Sequence, residues 1–257
     1  MTKVVNGLGD APTAPCRLCG QTAVLQHSHI IPEFQYAPLY DSLHRFSVMS
    51  SDSAKPVKWA QKGVREFLLC HACEQKLADW ERYAQQVIFE DRLYLVRRLP
   101  EGLLLGGIDY RRFRLFLLSL LWRMGVSSLP LFEDVELGEH EEPLRRALLT
   151  EDPGALNEYP CMLVGVTMNR QFQPDLILQP DMIELDGTKQ CRAVIAGVLY
   201  VFSLGTGPIP FGDANFTVNP AGTLFMAVRD ASQIEFVYEA LRQQHAAMEK
   251  RATRERR

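Results

Sequence analysis

Nowhere in this chain of 257 residues is there an uninterrupted apolar run of the roughly 18 residues that a membrane-crossing helix needs. The longest apolar stretch, Phe113 to Met124, is broken by Arg114 and Arg123. The opening residues, MTKVVNGLGDAPTAP, lack the apolar core of about 7–15 residues that marks an export signal. The expected location is therefore the cytoplasm, with no membrane partner. Excess positive charge is absent too. The chain has 28 lysines and arginines against 31 aspartates and glutamates, a net charge of −3. That excludes a coat protein that binds polyanions through its overall charge. No internal repeat or low-complexity tract is present. With 47% hydrophobic and 23% charged residues the composition is that of an ordinary packed protein, and the length suggests one or two domains.

The charge that is present is unevenly placed. Residues 133–158 hold nine acidic and two basic side chains, whereas 97–123 and the tail 242–257 each hold six basic and two acidic ones. A local basic footprint is compatible with this pattern; so is a tail that is simply a solvated helix end.

Cysteine is scarce, but four of the six form two pairs, Cys16-x-x-Cys19 and Cys70-x-x-Cys73. Without an export signal, disulfides are disfavoured. Two C-x-x-C knuckles instead supply four soft thiolates for one tetrahedral zinc. Fifty residues, 20–69, separate the pairs, and the cost of closing such a loop grows only logarithmically with its length. Cys161 and Cys191 lie in apolar runs and read as core residues.

Periodicity predicts an α+β protein. Residues 1–15 read as a flexible arm. Residues 16–99 form the zinc module: a strand or hairpin over 22–31, mainly loop over 37–62, a short strand over 65–69, and a helix beginning just after Cys73 and running to about Arg98. Residues 100–157 form a helical middle segment, with a central core helix over 110–124 stopped by Gly125 and a short helix over 142–150. Residues 158–257 form a mostly antiparallel sheet with a terminal helix. Its strands are expected over 161–168, 175–178, 182–185, 192–204 and 223–229, with an Asp186-Gly187 turn, and the helix starts at a Ser232-x-x-Glu235 capping box.

Between the knuckles runs Gln26-His27-Ser28-His29-Ile30-Ile31-Pro32-Glu33. The order C-x-x-C, a short strand carrying His-Ile-Ile-Pro, then Leu-Leu-Cys-x-x-Cys and a helix resembles the HNH endonuclease family, over about residues 16–90. The resemblance implies a ββα-metal, treble-clef fold for that stretch. It places His29 where the family has the general base that activates water, a task suited to an imidazole. The family's metal ligand before that base, an Asp or His, is Ser28 here. Its ligand after the last knuckle cysteine, usually His or Asn, is Glu74, a hard donor suited to magnesium or manganese. The middle Asn of the family falls near Arg65, which suits a phosphate instead. His27 is a further candidate ligand, on the same strand face as His29.

Read without the resemblance, His29 is equally compatible with a packing role, and Glu74 with a carboxylate favoured by the helix dipole. Three functions remain open. The first is an HNH-like nuclease acting on nucleic acid, DNA foremost, with the restriction or phage-defence setting implied by the resemblance and a partner protein as a further requirement. The second is a noncatalytic zinc module that binds nucleic acid or protein. The third is a ligand sensor in the C-terminal sheet, braced by the zinc module.

Overall fold

The most apolar segment of the sequence becomes helix α3, Tyr110–Val126, and the rest of the protein is arranged around it. Asp109 caps it, its side chain accepting from the Arg112 backbone N–H at 3.0 Å. Every residue from Phe113 to Met124 is buried, as an all-round apolar helix requires. Gly125 does not stop the helix. It sits inside the last turn, where a Cβ would come within 2.2 Å of the Leu137 side chain, so it is there for close packing. The computed structural model describes residues 11–52, 55, 57–89, 94–209 and 212–255. Within them the fold is mixed α and β, with five α-helices and a large, mostly antiparallel sheet.

A three-stranded sheet in the order β1-β2-β5 is built from β1 (Thr13–Pro15), β2 (Thr22–His29) and β5 (Arg65–Cys70). The first knuckle is the connection between β1 and β2. The second spans the junction of β5 with α2 (His71–Phe89). A short helix α1 (Glu33–Tyr36) follows Pro32, and a two-stranded ribbon, β3 (Arg45–Val48) with β4 (Lys58–Gln61), lies between α1 and β5. Helix α2 turns Leu77, Trp80, Ala84 and Val87 inward, at helical spacing. Helix α4 (Glu141–Thr150) buries Leu144 and Leu148.

The large sheet has eight strands. It is formed by β6 (Leu95–Leu99), β7 (Gly102–Leu105), β8 (Cys161–Met168), β9 (Gln171–Phe172), β10 (Leu178–Leu185), β11 (Thr188–Ile195), β12 (Val198–Ser203) and β13 (Leu224–Asp230). Its order is β10-β11-β12-β8-β13-β7-β6, with β9 paired to β8 and with β13 and β8 parallel. Hydrogen bonding therefore runs across residue 158, because β7 pairs with β13. Alternate residues face two apolar layers. Cys161, Leu163, Ala193, Tyr200 and Phe202 join the cluster that contains α3. Val164, Val166, Val194 and Leu199 join a second cluster that includes Val237 and Ala240 of helix α5, Glu235–Glu255.

Several local expectations are corrected. Residues 1–10 of the expected arm lie outside the described residues, and 13–15 are strand, paired with 22–24. Helix α2 starts at His71, two residues before the last knuckle cysteine, and ends at Phe89; residues 95–99 are strand β6, because pairing with β7 overrides their helical propensity. The expected loop 37–62 contains the β3–β4 ribbon. The single strand expected over 192–204 is two strands joined at Ala196-Gly197, both at positive φ (51° and 75°). An alanine in the left-handed region leaves no turn signature in the sequence. Residues 175–177 precede β10 rather than forming a strand, and the β10 register is irregular around Pro180, where a strand tolerates proline. The capping box is formed by Asp230 and Gln233, not Ser232 and Glu235, and encloses a 3-10 turn before α5.

Arg123 of α3 is almost fully buried and joins three parts of the fold. Its Nη1 donates to Glu81 of α2 at 2.6 Å and to the carbonyl oxygen of His29 at 2.9 Å. Removing one partner of a buried pair strands the other in low dielectric. Arg123→Ala is expected to lower unfolding free energy by about 3–5 kcal/mol. The double variant Arg123→Met with Glu81→Leu should lose less, because no buried charge is then left alone. Denaturant unfolding of the three proteins measures both.

Candidate metal centre and the histidine beside it

The four knuckle cysteines converge. Their Sγ atoms all lie within 4.8 Å of one another, and no disulfide joins them. Cys19 and Cys70 are 3.8 Å apart, sulfur to sulfur. Four sulfurs about 2.3 Å from one tetrahedral zinc are about 3.8 Å from each other, so that spacing fits zinc, and a disulfide would require about 2.05 Å. The convergence follows from strand pairing: β2 places Leu25 opposite Cys70, while Cys16 sits at the end of β1.

The electrostatics favour a cation. Burial raises the Cys16 thiol, but the backbone N–H groups of Cys19, Cys70 and Leu18 outweigh it and bring this sulfur below the ordinary thiol value. The Cys70 N–H points to Cys16 Sγ at 3.3 Å. Cys19 and Cys73 are raised, first by burial. Binding of a soft divalent cation would ionise these thiols together and offset their crowding. The cysteines can thus hold a metal ion such as zinc. Among the described residues they are the one group of three or more His, Cys, Asp or Glu ligand atoms gathered this closely. His27, His29 and Glu74 do not form a second such group.

These three residues have separate surroundings. Ser28 is fully buried, and its hydroxyl donates to Glu74 Oε2 at 2.6 Å, joining the end of β2 to the first turn of α2. His27 lies over the Phe67 ring, with centroids 4.9 Å apart. The register between β2 and β5 shifts between Gln26 and His27, where Leu68 is left without an opposite residue.

His29 is held more tightly than its sequence context suggests. Its Nε2 lies 2.6 Å from Glu33 Oε2 and 2.8 Å from Arg65 Nε, which donates to it. The hydroxyl of Tyr40 donates to the other Glu33 oxygen at 3.1 Å. Arg65 and His29 are register partners on β5 and β2, and Glu33 arrives four residues later because Ile30-Ile31-Pro32 turns the chain into α1. Gly63 closes the side of this cluster, since a Cβ there would come within 2.9 Å of His29, Glu33 and Tyr36. One ring nitrogen cannot satisfy both neighbours at once: it accepts from Arg65, or carries a proton and donates to Glu33. Burial holds the imidazole well below its usual value, at about 4, with Arg65 acting in the same direction and Glu33 against it. The ring is neutral at pH 7.

Glu33 and Tyr40 are the residues that sequence reasoning missed. Glu33 stands next to the His-Ile-Ile-Pro motif, at the i+4 spacing that puts it back on His29. Two open cavities lie elsewhere. One of about 400 Å³ is lined by Ser50, Lys55, Asp134 and Asp181, and one of about 300 Å³ by Leu118, Arg146, Gly154 and Tyr159. Both draw on residues outside 158–230, the stretch where a ligand sensor was expected. Compared with known protein families, curated proteins and solved structures, the chain matches none. Among the described residues no helix is long and apolar enough to cross a membrane.

Purified protein is expected to carry one zinc per chain by elemental analysis. Cys70→Ser should lose most of it and lower the melting temperature. A pH effect follows from His29. Its folded value of about 4 lies below the unfolded value of about 6.5, so between them the unfolded chain binds more protons. Stability should therefore fall as pH drops from about 6.5 towards 4, with no contribution from this group above that window. Denaturant unfolding at pH 7.5 and 5 should show a smaller loss in His29→Gln than in wild type.

Proposed function

We propose that the chain is an HNH-like, metal-dependent nuclease that hydrolyses phosphodiester bonds in nucleic acid, with DNA as the first candidate and restriction or phage defence as the setting. The reading takes the first third of the chain as a treble-clef module braced by a structural zinc on Cys16, Cys19, Cys70 and Cys73. The observation that carries it is the 2.6 Å contact between Ser28 and Glu74. The resemblance points to these two positions for the catalytic ion, and they lie in contact one residue from His29. A carboxylate with a hydroxyl, completed by water and substrate phosphate, is a donor set that magnesium or manganese accepts. Such an ion supplies charge neutralisation at the phosphate and leaving oxygen.

In this reading His29 takes the proton from the attacking water. Its neutral state at pH 7 leaves it able to accept one. Glu33 fixes the ring through Nε2, and the part-exposed Arg65 guanidinium turns to a bound phosphate, for which its fork geometry is suited. One observation favours the noncatalytic zinc module instead. His29 Nε2 is engaged by both Arg65 and Glu33, the closed polar contact that a packing histidine makes.

The protein should cut or nick DNA with magnesium or manganese and not after chelation. His29→Ala should lose about 10²–10⁴-fold in rate while keeping its zinc. Glu74→Ala should lose activity or its metal dependence, and Ser28→Asp, which restores the ligand type of the family, should raise activity. Absence of cleavage in wild type and in Ser28→Asp, tested with and without a partner protein, replaces this reading with the binding module.

A further inference from the structure

The larger of the two cavities is used neither by the cysteine cluster nor by the proposed chemistry. It opens where three separated segments meet: the connection from β3 to β4, the acidic stretch before α4, and the edge strand β10. Backbone pairing joins two of these walls. The Gln179 N–H donates to the Met49 carbonyl at 2.7 Å, and the Met49 N–H to that of Ile177 at 3.2 Å. Lys55 ties the acidic stretch to the β3–β4 connection, its ammonium 3.2 Å from Glu133 and 2.5 Å from Asp134. At about 400 Å³ the space admits a small organic molecule.

The lining is mostly of one charge. Asp52, Glu133, Asp134, Glu136 and Asp181 belong to it, against Lys55 as the one cation among the described lining residues. Asp181 is settled by Arg192, whose Nε and Nη2 donate to it at 2.9 and 2.7 Å. With Arg192 counted, the site still has three more carboxylates than cations. A concave wall of that kind concentrates positive ligands. Gln179 adds an independent demand. It is only 5% exposed, and its Nε2 donates to Asp134 Oδ2 at 2.9 Å, which sets the amide at the cavity wall. Among the described residues nothing donates to its Oε1, to Asp134 Oδ1 or to the Glu136 carboxylate. An acceptor buried this deeply costs stability until a donor reaches it.

We propose that this cavity binds a small aliphatic polyamine, with one ammonium received by Gln179, Asp134 and Glu136. An ammonium is all donor, with three N–H groups for three acceptors that have none. The chain's own ammonium already docks on the same carboxylate: Asp134 and then Glu133 hold Lys55 above its ordinary value. A bare divalent ion suits the cavity less. Among the described residues no three of these carboxylates come together as the four sulfurs do, whereas an inner-shell ion needs its oxygens to converge at about 2.0–2.6 Å. A second ammonium on the same ligand answers the negative charge that the first leaves over. The inference is independent of the nuclease reading and holds whether or not the chain cuts DNA.

The test is calorimetric titration of the full chain with spermidine, putrescine and butylamine at low ionic strength, with magnesium as a competitor. One spermidine should bind per chain, more tightly than putrescine, and putrescine more tightly than butylamine. Glu136→Gln and Gln179→Leu should each weaken spermidine binding about tenfold or more. Glu101→Gln, at the opposite edge of the large sheet, should leave it unchanged. Circular dichroism and zinc content check that each variant folds. Glu136 is exposed and makes no contact that the fold depends on, so its variant decides the matter even where Gln179→Leu is too unstable to titrate. No saturable binding, several spermidines per chain, displacement of spermidine by an equal concentration of magnesium, affinity indifferent to Glu136→Gln, or an equal loss in Glu101→Gln overturns the proposal.

Discussion

A single buried guanidinium sets the relation between the candidate site and the core. Arg123 lies in the middle of the most apolar helix, where an unpaired charge would be prohibitively costly. Its solution is to reach Glu81 on α2 and the carbonyl of His29 at the end of β2. Each partner is placed by a different constraint: Glu81 by the helix that begins at the second knuckle, His29 by pairing with β5. The cysteine cluster and the buried helix therefore have to agree on one geometry before the charge is satisfied. Burial raises the Glu81 carboxyl above its ordinary value, and Arg123 opposes that rise without cancelling it.

Desolvation also dominates around His29, where it lowers the value of a base instead of raising that of an acid. Three charged or titratable groups, Glu33, Arg65 and Arg123, face an imidazole that burial already disfavours as a cation. Its Nε2 is shared by a donor and an acceptor that cannot both be satisfied, which makes this the least settled polar contact near the site. A bound anion that attracts Arg65 would resolve the competition in favour of Glu33.

How much of this was legible in the sequence depends on how local the cause is. The paired C-x-x-C spacing carried the four cysteines to their cluster, because knuckle geometry is set within four residues and the closure only had to be affordable. The apolar run around α3 and the strands over 161–168 and 223–229 were equally readable. The ribbon escaped because each of its strands is four residues long, too short for a period to register. The turn at Ala196-Gly197 escaped because its first residue adopts positive φ without being glycine or asparagine. Glu33 escaped for another reason: its contact with His29 depends on the direction in which the chain leaves Pro32. Strand β6 was misread because its partner, not its own composition, decides its state.

Strand β13 enters the large sheet between β8 and β7, and its partner β7 lies more than a hundred residues earlier in the chain. During synthesis the cysteine module, β7 and α3 are complete long before β13 exists. The face of α3 that the sheet covers stays exposed to solvent until β8, β11 and β12 have been made, and closing the distant β7–β13 pair comes later still and is slow. The interval is a period of aggregation risk, and early metal binding by the cysteine module would shorten the list of wrong arrangements available during it.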